Sequence, residues 1–273
     1  MSVALPEPPR RTAAAWVGSG IRDWLPAAVV FAGFLACWEL VVVVFQVKQF
    51  ILPGPLAIAA AWRAELPALW AATTYTVTEI LLGLGIGVTA GILAGVLTAR
   101  FVALRDSLMP FAIAANSVPI LAFAPIFNNW FGIANPLSKA MIAAVLCFFP
   151  VMINTVRGLI SVQPAALELM RSYAASELEV FRRVRVPNAL PFVFTALRLA
   201  TTLATIGAVV GEYFGAPKVS LGQYVATSFG YLSVENAWAA IVFTAAIGIT
   251  LYLLVVLLER LVMPWYTAQA QET

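Results

Sequence analysis

Histidine is absent from all 273 residues, and cysteine occurs only twice, as Cys37 and Cys147. Without histidine there is no Ser-His-Asp triad and none of the common imidazole-bearing zinc sites. The two cysteines lie far apart, each inside an apolar run, and read as small buried hydrophobes rather than a disulfide framework. Charge is also scarce: 11% of residues are charged, less than half of the roughly 25% in an average soluble domain. Acidic residues do not cluster at either end of any apolar run, so a membrane enzyme built on paired carboxylates is disfavoured, and neither catalytic nor metal-ligating residues are assigned. There is no Gly-x-x-x-x-Gly-Lys-Ser/Thr loop. The Gly83 to Gly87 run lacks the preceding strand and βαβ unit that a dinucleotide site requires. Any ATP and its Mg must therefore be bound by a different polypeptide. The net charge of +3 does not gather on one exposed face, so nucleic acid is not an expected partner.

What is abundant is apolar surface, 62% of the chain, spread through its middle rather than held in one block. A crossing of a ~30 Å hydrocarbon layer takes about 20 mostly apolar residues. That length predicts an all-α polytopic membrane protein with six spans, at about 25–45, 69–99, 107–127, 137–159, 189–214 and 237–263. Residues 1–24 form an N-terminal segment, 25–266 the transmembrane domain and 267–273 a tail. Six crossings place both termini on one side. Lysines and arginines collect in short cytoplasmic loops. With the N-terminus inside, 11 of them are cytoplasmic and four (Lys48, Arg63, Lys139 and Lys218) external, while Arg198 lies within a span. Both termini are thus expected in the cytoplasm.

Within the spans, Gly83, Gly87, Gly91 and Gly95 recur every four residues and make a smooth stripe for helix packing. Ionisable groups inside spans are costly and face a bundle interior or watery cavity; here they are Glu39, Glu79, Arg198 and Glu212. Glu39 and Glu212 fall late in their spans and can also reach the headgroups, whereas Arg198 reads first as a structural ion pair. Pro119 and Pro125 predict a kinked third span. Asn116 and Ser117 before the kink, with Asn128, Asn129 and Arg198, are candidates for a polar translocation path, although buried Asn and Ser also bond neighbouring helices. Between the first two spans, Leu52-Pro53-Gly54-Pro55 is a breaker cluster followed by an Ala-rich surface helix. Between the fourth and fifth, Gln163-Pro164 suits a helix start. Leu167, Met170, Ala174, Leu178 and Phe181 then follow at helical spacing opposite Glu168, Arg171 and Glu179. One amphipathic helix over about 164–181 is expected, too charged to cross.

That helix carries Glu168-Leu-Met, Ala174, and Val184-Arg-Val186-Pro187. It resembles the EAA motif of binding-protein-dependent ABC importer permeases: Glu-Ala-Ala, a glycine, then two aliphatic positions and a proline. Leu169 and Met170 stand for the two alanines, and Ala174 for the glycine, with the spacing intact. Phe50 to Pro55, Val118-Pro119, Ala124-Pro125, Trp130-Phe131-Gly132, Ala196-Leu-Arg198, Gly211-Glu212-Tyr-Phe-Gly215 and Leu221-Gly222 are similar to the nitrate/sulfonate/taurine branch of the same family. Asn128-Asn129 departs from the apolar residues of that branch, and some similar members serve vitamin-like heterocycles such as thiamine-precursor pyrimidines or riboflavin. The resemblance implies a six-helix type I importer permease in a bacterial inner membrane. It implies as partners a second permease copy, two cytoplasmic ATPase subunits and an external substrate-binding protein. Glu168, Arg171, Ala174, Ser176, Val184 and Pro187 would then face the ATPase through a coupling helix. The rival reading is an ion-coupled secondary transporter with Glu79, Glu212 and Arg198 as its relay.

Overall fold

The computed structural model describes residues 13–115, 118–216 and 220–265, without the side chains of 13–24, 120 and 121. The described residues form helices joined by short turns. Among the described residues, five segments are long and apolar enough to cross a membrane: Leu25–Val44, Leu66–Arg100, Pro136–Ile160, Glu177–Tyr213 and Val234–Val262. The chain divides into two compact units, Met1–Ala60 and Ala61–Thr273.

The first unit holds α1 (Ala13–Val44) and the start of α2 (Pro55–Ala64). Nearly the whole described surface of α1 is exposed and apolar, as a helix facing lipid requires. Glu39 has a specific role within the unit. Its Oε2 accepts the Leu56 N–H at 3.0 Å, one of the donors left unpaired in the first turn of α2. Pro55 takes the first helical position, where a missing N–H costs nothing. Gly54 is required because a methyl group there would stand 2.6 Å from Glu39 Oε2. The Leu-Pro-Gly-Pro cluster is thus the start of a helix capped at a distance.

In the second unit α3 (Leu66–Arg100) packs along α6 (Pro136–Ile160), and α6 along α9 (Val186–Tyr213). Small residues set the spacing: Ala143, Cys147, Ala196, Ala200, Ala204 and Ala208 lie in one buried cluster. Gly83, Gly87, Gly91 and Gly95 are all buried and face the α6 backbone. A methyl on Gly83 would meet Ala143 Cβ at 2.5 Å, one on Gly91 the Phe148 carbonyl at 2.9 Å, and one on Gly95 Thr155 Cβ at 2.7 Å; at Gly87 it would collide with the Ala144 carbonyl. Lipid is as apolar as leucine, so close van der Waals contact of this kind is what holds such helices together. On α9, α10 (Leu221–Gly230) and α11 (Val234–Val262) complete the unit.

Two expected helices are broken. In place of a continuous third span over 107–127 stand α4 (Val102–Ala115), a 3-10 turn (Ile120–Phe123) and α5 (Ala124–Phe131). Pro125 lies in the first turn of α5 and Pro119 just ahead of the 3-10 turn. Both prolines sit where a helix tolerates them, at a start rather than at a kink. The 164–181 helix is likewise two pieces, α7 (Pro164–Ser172) and α8 (Glu177–Val180). Ala174 between them has φ +52°, which ends α7. Ser176 then opens α8 with a reciprocal capping box, its side chain bonded to the Glu179 N–H and the Glu179 carboxylate to the Ser176 N–H. α8 runs through a π turn (Phe181–Arg185) directly into α9.

Candidate functional site

Two features of the second unit carry chemistry, one at each end of α9. At the Tyr213 end, Glu212 comes from the last turn of α9, Thr76 and Glu79 from α3 and Lys139 from the first turn of α6, all four with 0% exposure. Glu212 Oε1 accepts the Thr76 hydroxyl at 2.7 Å, and Oε2 accepts the Gly222 N–H at 2.7 Å. Thr76 Oγ1 in turn accepts the Leu221 N–H at 3.0 Å. Leu221 and Gly222 are the first two residues of α10, so Glu212 and Thr76 satisfy two of its free N–H groups and place an acidic group at the positive end of its dipole. Gly222 admits no side chain: a methyl there would lie 2.6 Å from Glu212 Cβ and collide with the Val209 carbonyl. This is the device already seen in the first unit, where Glu39 caps α2 beside Gly54.

Around that cap lies a second polar shell. Glu79 lies beside Glu212, and among the described residues neither of its carboxyl oxygens has a hydrogen-bond partner. Lys139 Nζ donates to the Ile133 carbonyl at 2.6 Å, and Tyr75 to the Ala134 carbonyl at 3.1 Å. Asn128 accepts from the Ser138 hydroxyl at 3.0 Å and donates to the Gly215 carbonyl at 3.5 Å. Lys139, counted among loop charges from the sequence, is therefore fully buried. Nearby, burial pushes the Tyr224 phenol up to about 12, aided by the Glu65 carboxylate to which it is bonded.

At the other end of α9, α7 and α8 form a lobe that projects from the bundle. α7 buries no residue, and Leu169, Tyr173 and Leu178 are exposed by 56%, 75% and 58%. Large apolar side chains left in the open along one short lobe mark a surface made to be covered. Glu168, Arg171, Ala174 and Ser176 are exposed on this lobe, and Val184 and Pro187 are half-buried where it meets α9.

The path candidates do not gather in one place. Asn116 and Ser117 lie outside the described residues. Pro119 and Asn129 are exposed, while Asn128 belongs to the polar junction. Arg198 pairs with Glu259 of α11 at 2.9 Å. Fourteen residues of helix, about 21 Å, separate Arg198 from Glu212, so the two do not form one relay with Glu79. Thr76 and Glu259, central to these clusters, were not singled out by sequence reasoning. A threonine or late glutamate in an apolar run carries no local signal of its distant partner.

Residues 87–267 match the family described as binding-protein-dependent transport system inner membrane component. The chain belongs to that family. Among relatives, the permease is 33% identical over 252 residues to the riboflavin transport system permease protein RibX of Chloroflexus aurantiacus, covering 92% of this chain and 91% of that one. It is 30% identical over 253 residues to the formylaminopyrimidine transport permease protein ThiX of Halalkalibacterium halodurans, covering 90% and 97%. With the taurine transport system permease protein TauC of Escherichia coli it shares 29% over 242 residues, covering 86% and 87%. The permease is accordingly a multi-pass inner-membrane subunit of an ABC importer, and ATP hydrolysis belongs to a separate subunit. The family match covers the α7–α8 lobe, the Asn128, Lys139 and Glu212 side of the polar junction and all the helices from α4 onward, and begins after Thr76 and Glu79.

Proposed function

We propose that the permease, paired with a second copy, forms the path for a small polar solute handed over by an external binding protein. In this reading two cytoplasmic ATPases, holding the ATP and Mg that this chain does not bind, drive it through the α7–α8 lobe. The observation that carries the reading is the lobe itself. Within a chain of this family, a lobe with Leu169, Tyr173 and Leu178 all exposed stands between two apolar helices. Helical segments of this kind lay their apolar side in a partner's groove. Glu168, Arg171 and Ser176 would contribute polar contacts at the rim, and Arg182, Arg183 and Arg185 follow beside the membrane surface on the same side. That side is the cytoplasm, where the basic residues of the chain concentrate, and both termini face it. The sixth crossing is made by α4, the 3-10 turn and α5 together.

The solute we propose is a vitamin-like heterocycle of the riboflavin or pyrimidine-precursor class. The relatives named for such compounds stand at 33% and 30% identity, and those named for aliphatic sulfonates, taurine and nitrate at 24–29%. Uptake by cells expressing the complete transporter decides this, with labelled riboflavin, formylaminopyrimidine and taurine offered in parallel. Accumulation of either heterocycle, abolished by Glu168→Ala, supports the assignment. Accumulation of taurine alone contradicts it.

A further inference from the structure

The lobe leaves α6 at Ser161 and returns to the bundle at the start of α9. These two feet are joined by one side chain. Asn188 Nδ2 donates to the Gly158 carbonyl of α6 at 2.8 Å and to Ser161 Oγ at 3.0 Å, and Ser161 Oγ itself donates to Gly158 O at 3.2 Å. The backbones touch at the same level: a methyl on Gly158 would lie 2.7 Å from Ala189 Cα.

The backbone beside this stitch departs from a regular α-helix. The π turn closes with the Val186 N–H bonded to the Phe181 carbonyl, five residues back, a geometry at which helices kink. Pro187 and Pro191 follow within the first turns of α9, and each removes one rung of the helical ladder. Left to its backbone, the 181–191 stretch would bend when the lobe is displaced and absorb the motion. The Asn188 amide bypasses that stretch, because it fastens the start of α9 to the Gly158 carbonyl and the Ser161 hydroxyl at the end of α6.

We propose that Asn188 is a positioning residue for energy coupling: it makes α6 and α9 respond as one body when an ATPase moves the α7–α8 lobe. This rests on the docking of the ATPase at the lobe proposed above. The role is distinct from docking, since Asn188 is half-buried between the helices and lies behind the lobe's exposed side chains. It is also distinct from mere adhesion of α6 to α9, which the buried alanine cluster along their length already provides.

The test uses the complete transporter in proteoliposomes, with solute uptake and ATP hydrolysis measured on the same preparation. Asn188→Ala removes both of its bonds, Asn188→Asp keeps the shape but turns acceptors toward the Gly158 carbonyl, and Ser161→Ala removes one of the two Asn188 bonds together with the Ser161 bond to the Gly158 carbonyl. Since each lost hydrogen bond shifts an equilibrium by about fivefold and Asn188→Ala loses two, solute moved per ATP should fall by at least about fivefold in Asn188→Ala and at least as far in Asn188→Asp. Ser161→Ala should fall in between, with ATPase stoichiometry and thermal stability near those of the parent. Unchanged solute per ATP in Asn188→Ala overturns the inference, as does a parallel fall of uptake, hydrolysis and assembled complex, which marks a purely structural residue. If the parent chain retains no ATPase at all, the docking reading fails first and the inference falls with it.

Discussion

Replacing Thr76 with valine changes one oxygen for one methyl group at a fully buried position, and the structure fixes what is lost. The hydroxyl donates to Glu212 and accepts from the Leu221 N–H, so the variant forfeits one side-chain hydrogen bond, worth about 1 kcal/mol net, and leaves a buried amide without an acceptor at about 1–3 kcal/mol. The shape is conserved, so no cavity term is added. A loss of about 3 kcal/mol converts to a fall of about 6–12 °C in the unfolding midpoint for a chain of this size. Thr78→Val is the matched control, because Thr78 lies two residues along the same helix and is exposed. Its hydroxyl bonds only to its own helix, at the Thr74 carbonyl. Detergent-purified protein scanned at one fixed heating rate gives the comparison, since unfolding of membrane proteins is commonly irreversible and rate-dependent. A Thr76→Val midpoint within about 2 °C of the Thr78→Val midpoint would refute the assignment of Thr76 and Glu212 as the distant cap of α10.

Gly87→Ala places a methyl against the Ala144 carbonyl; α3 and α6 must separate, and the yield of monodisperse protein on size exclusion should drop severely, whereas Gly85→Ala, which meets nothing within 4 Å, should express normally. Ala174→Gly relieves a left-handed residue costing about 1–2 kcal/mol, so the midpoint should rise by a few degrees; a fall would show that the φ of +52° is not strained. Arg198→Met strands Glu259, whose side chain is only 10% exposed, and should destabilise more than the double variant Arg198→Met/Glu259→Gln. The double variant recovers about half or more of the lost midpoint if the two groups form an isolated pair.

Much of the architecture is written in hydrophobic length alone, and five of the predicted apolar segments reappear as long helices with similar bounds. The 107–127 segment is different because its apolar run is cut by prolines that start short helices, and length cannot distinguish a kinked crossing from three pieces. Helical spacing from Leu167 to Phe181 predicts one helix, since alanine at 174 is the best helix former and hides a left-handed turn. The capping-box pattern Ser176-x-x-Glu179 was the local signal that a new helix begins there. The intramembrane glutamates were visible as costly residues, yet their task was not. Glu39 and Glu212 each cap the short helix that follows, beside a glycine that leaves them room, and that pairing is legible only once both motifs are seen together. Lys139 could not be placed from the sequence because its partner is a backbone carbonyl, at Ile133.

The central claim is that this permease works through an ATPase seated on the α7–α8 lobe, and cysteine cross-linking at that lobe tests it most directly. With Cys37 replaced by serine, a cysteine at exposed Tyr173 in the complete transporter is alkylated by a reagent whose other end is photoreactive and inserts into neighbouring C–H bonds, and the product of illumination is identified by mass. The account predicts a covalent adduct of permease and ATPase whose yield changes on adding ATP, and none from a cysteine at Trp130 at the far end of the bundle. An intact, transporting complex that cross-links to its ATPase from Trp130 and never from Tyr173 would contradict it.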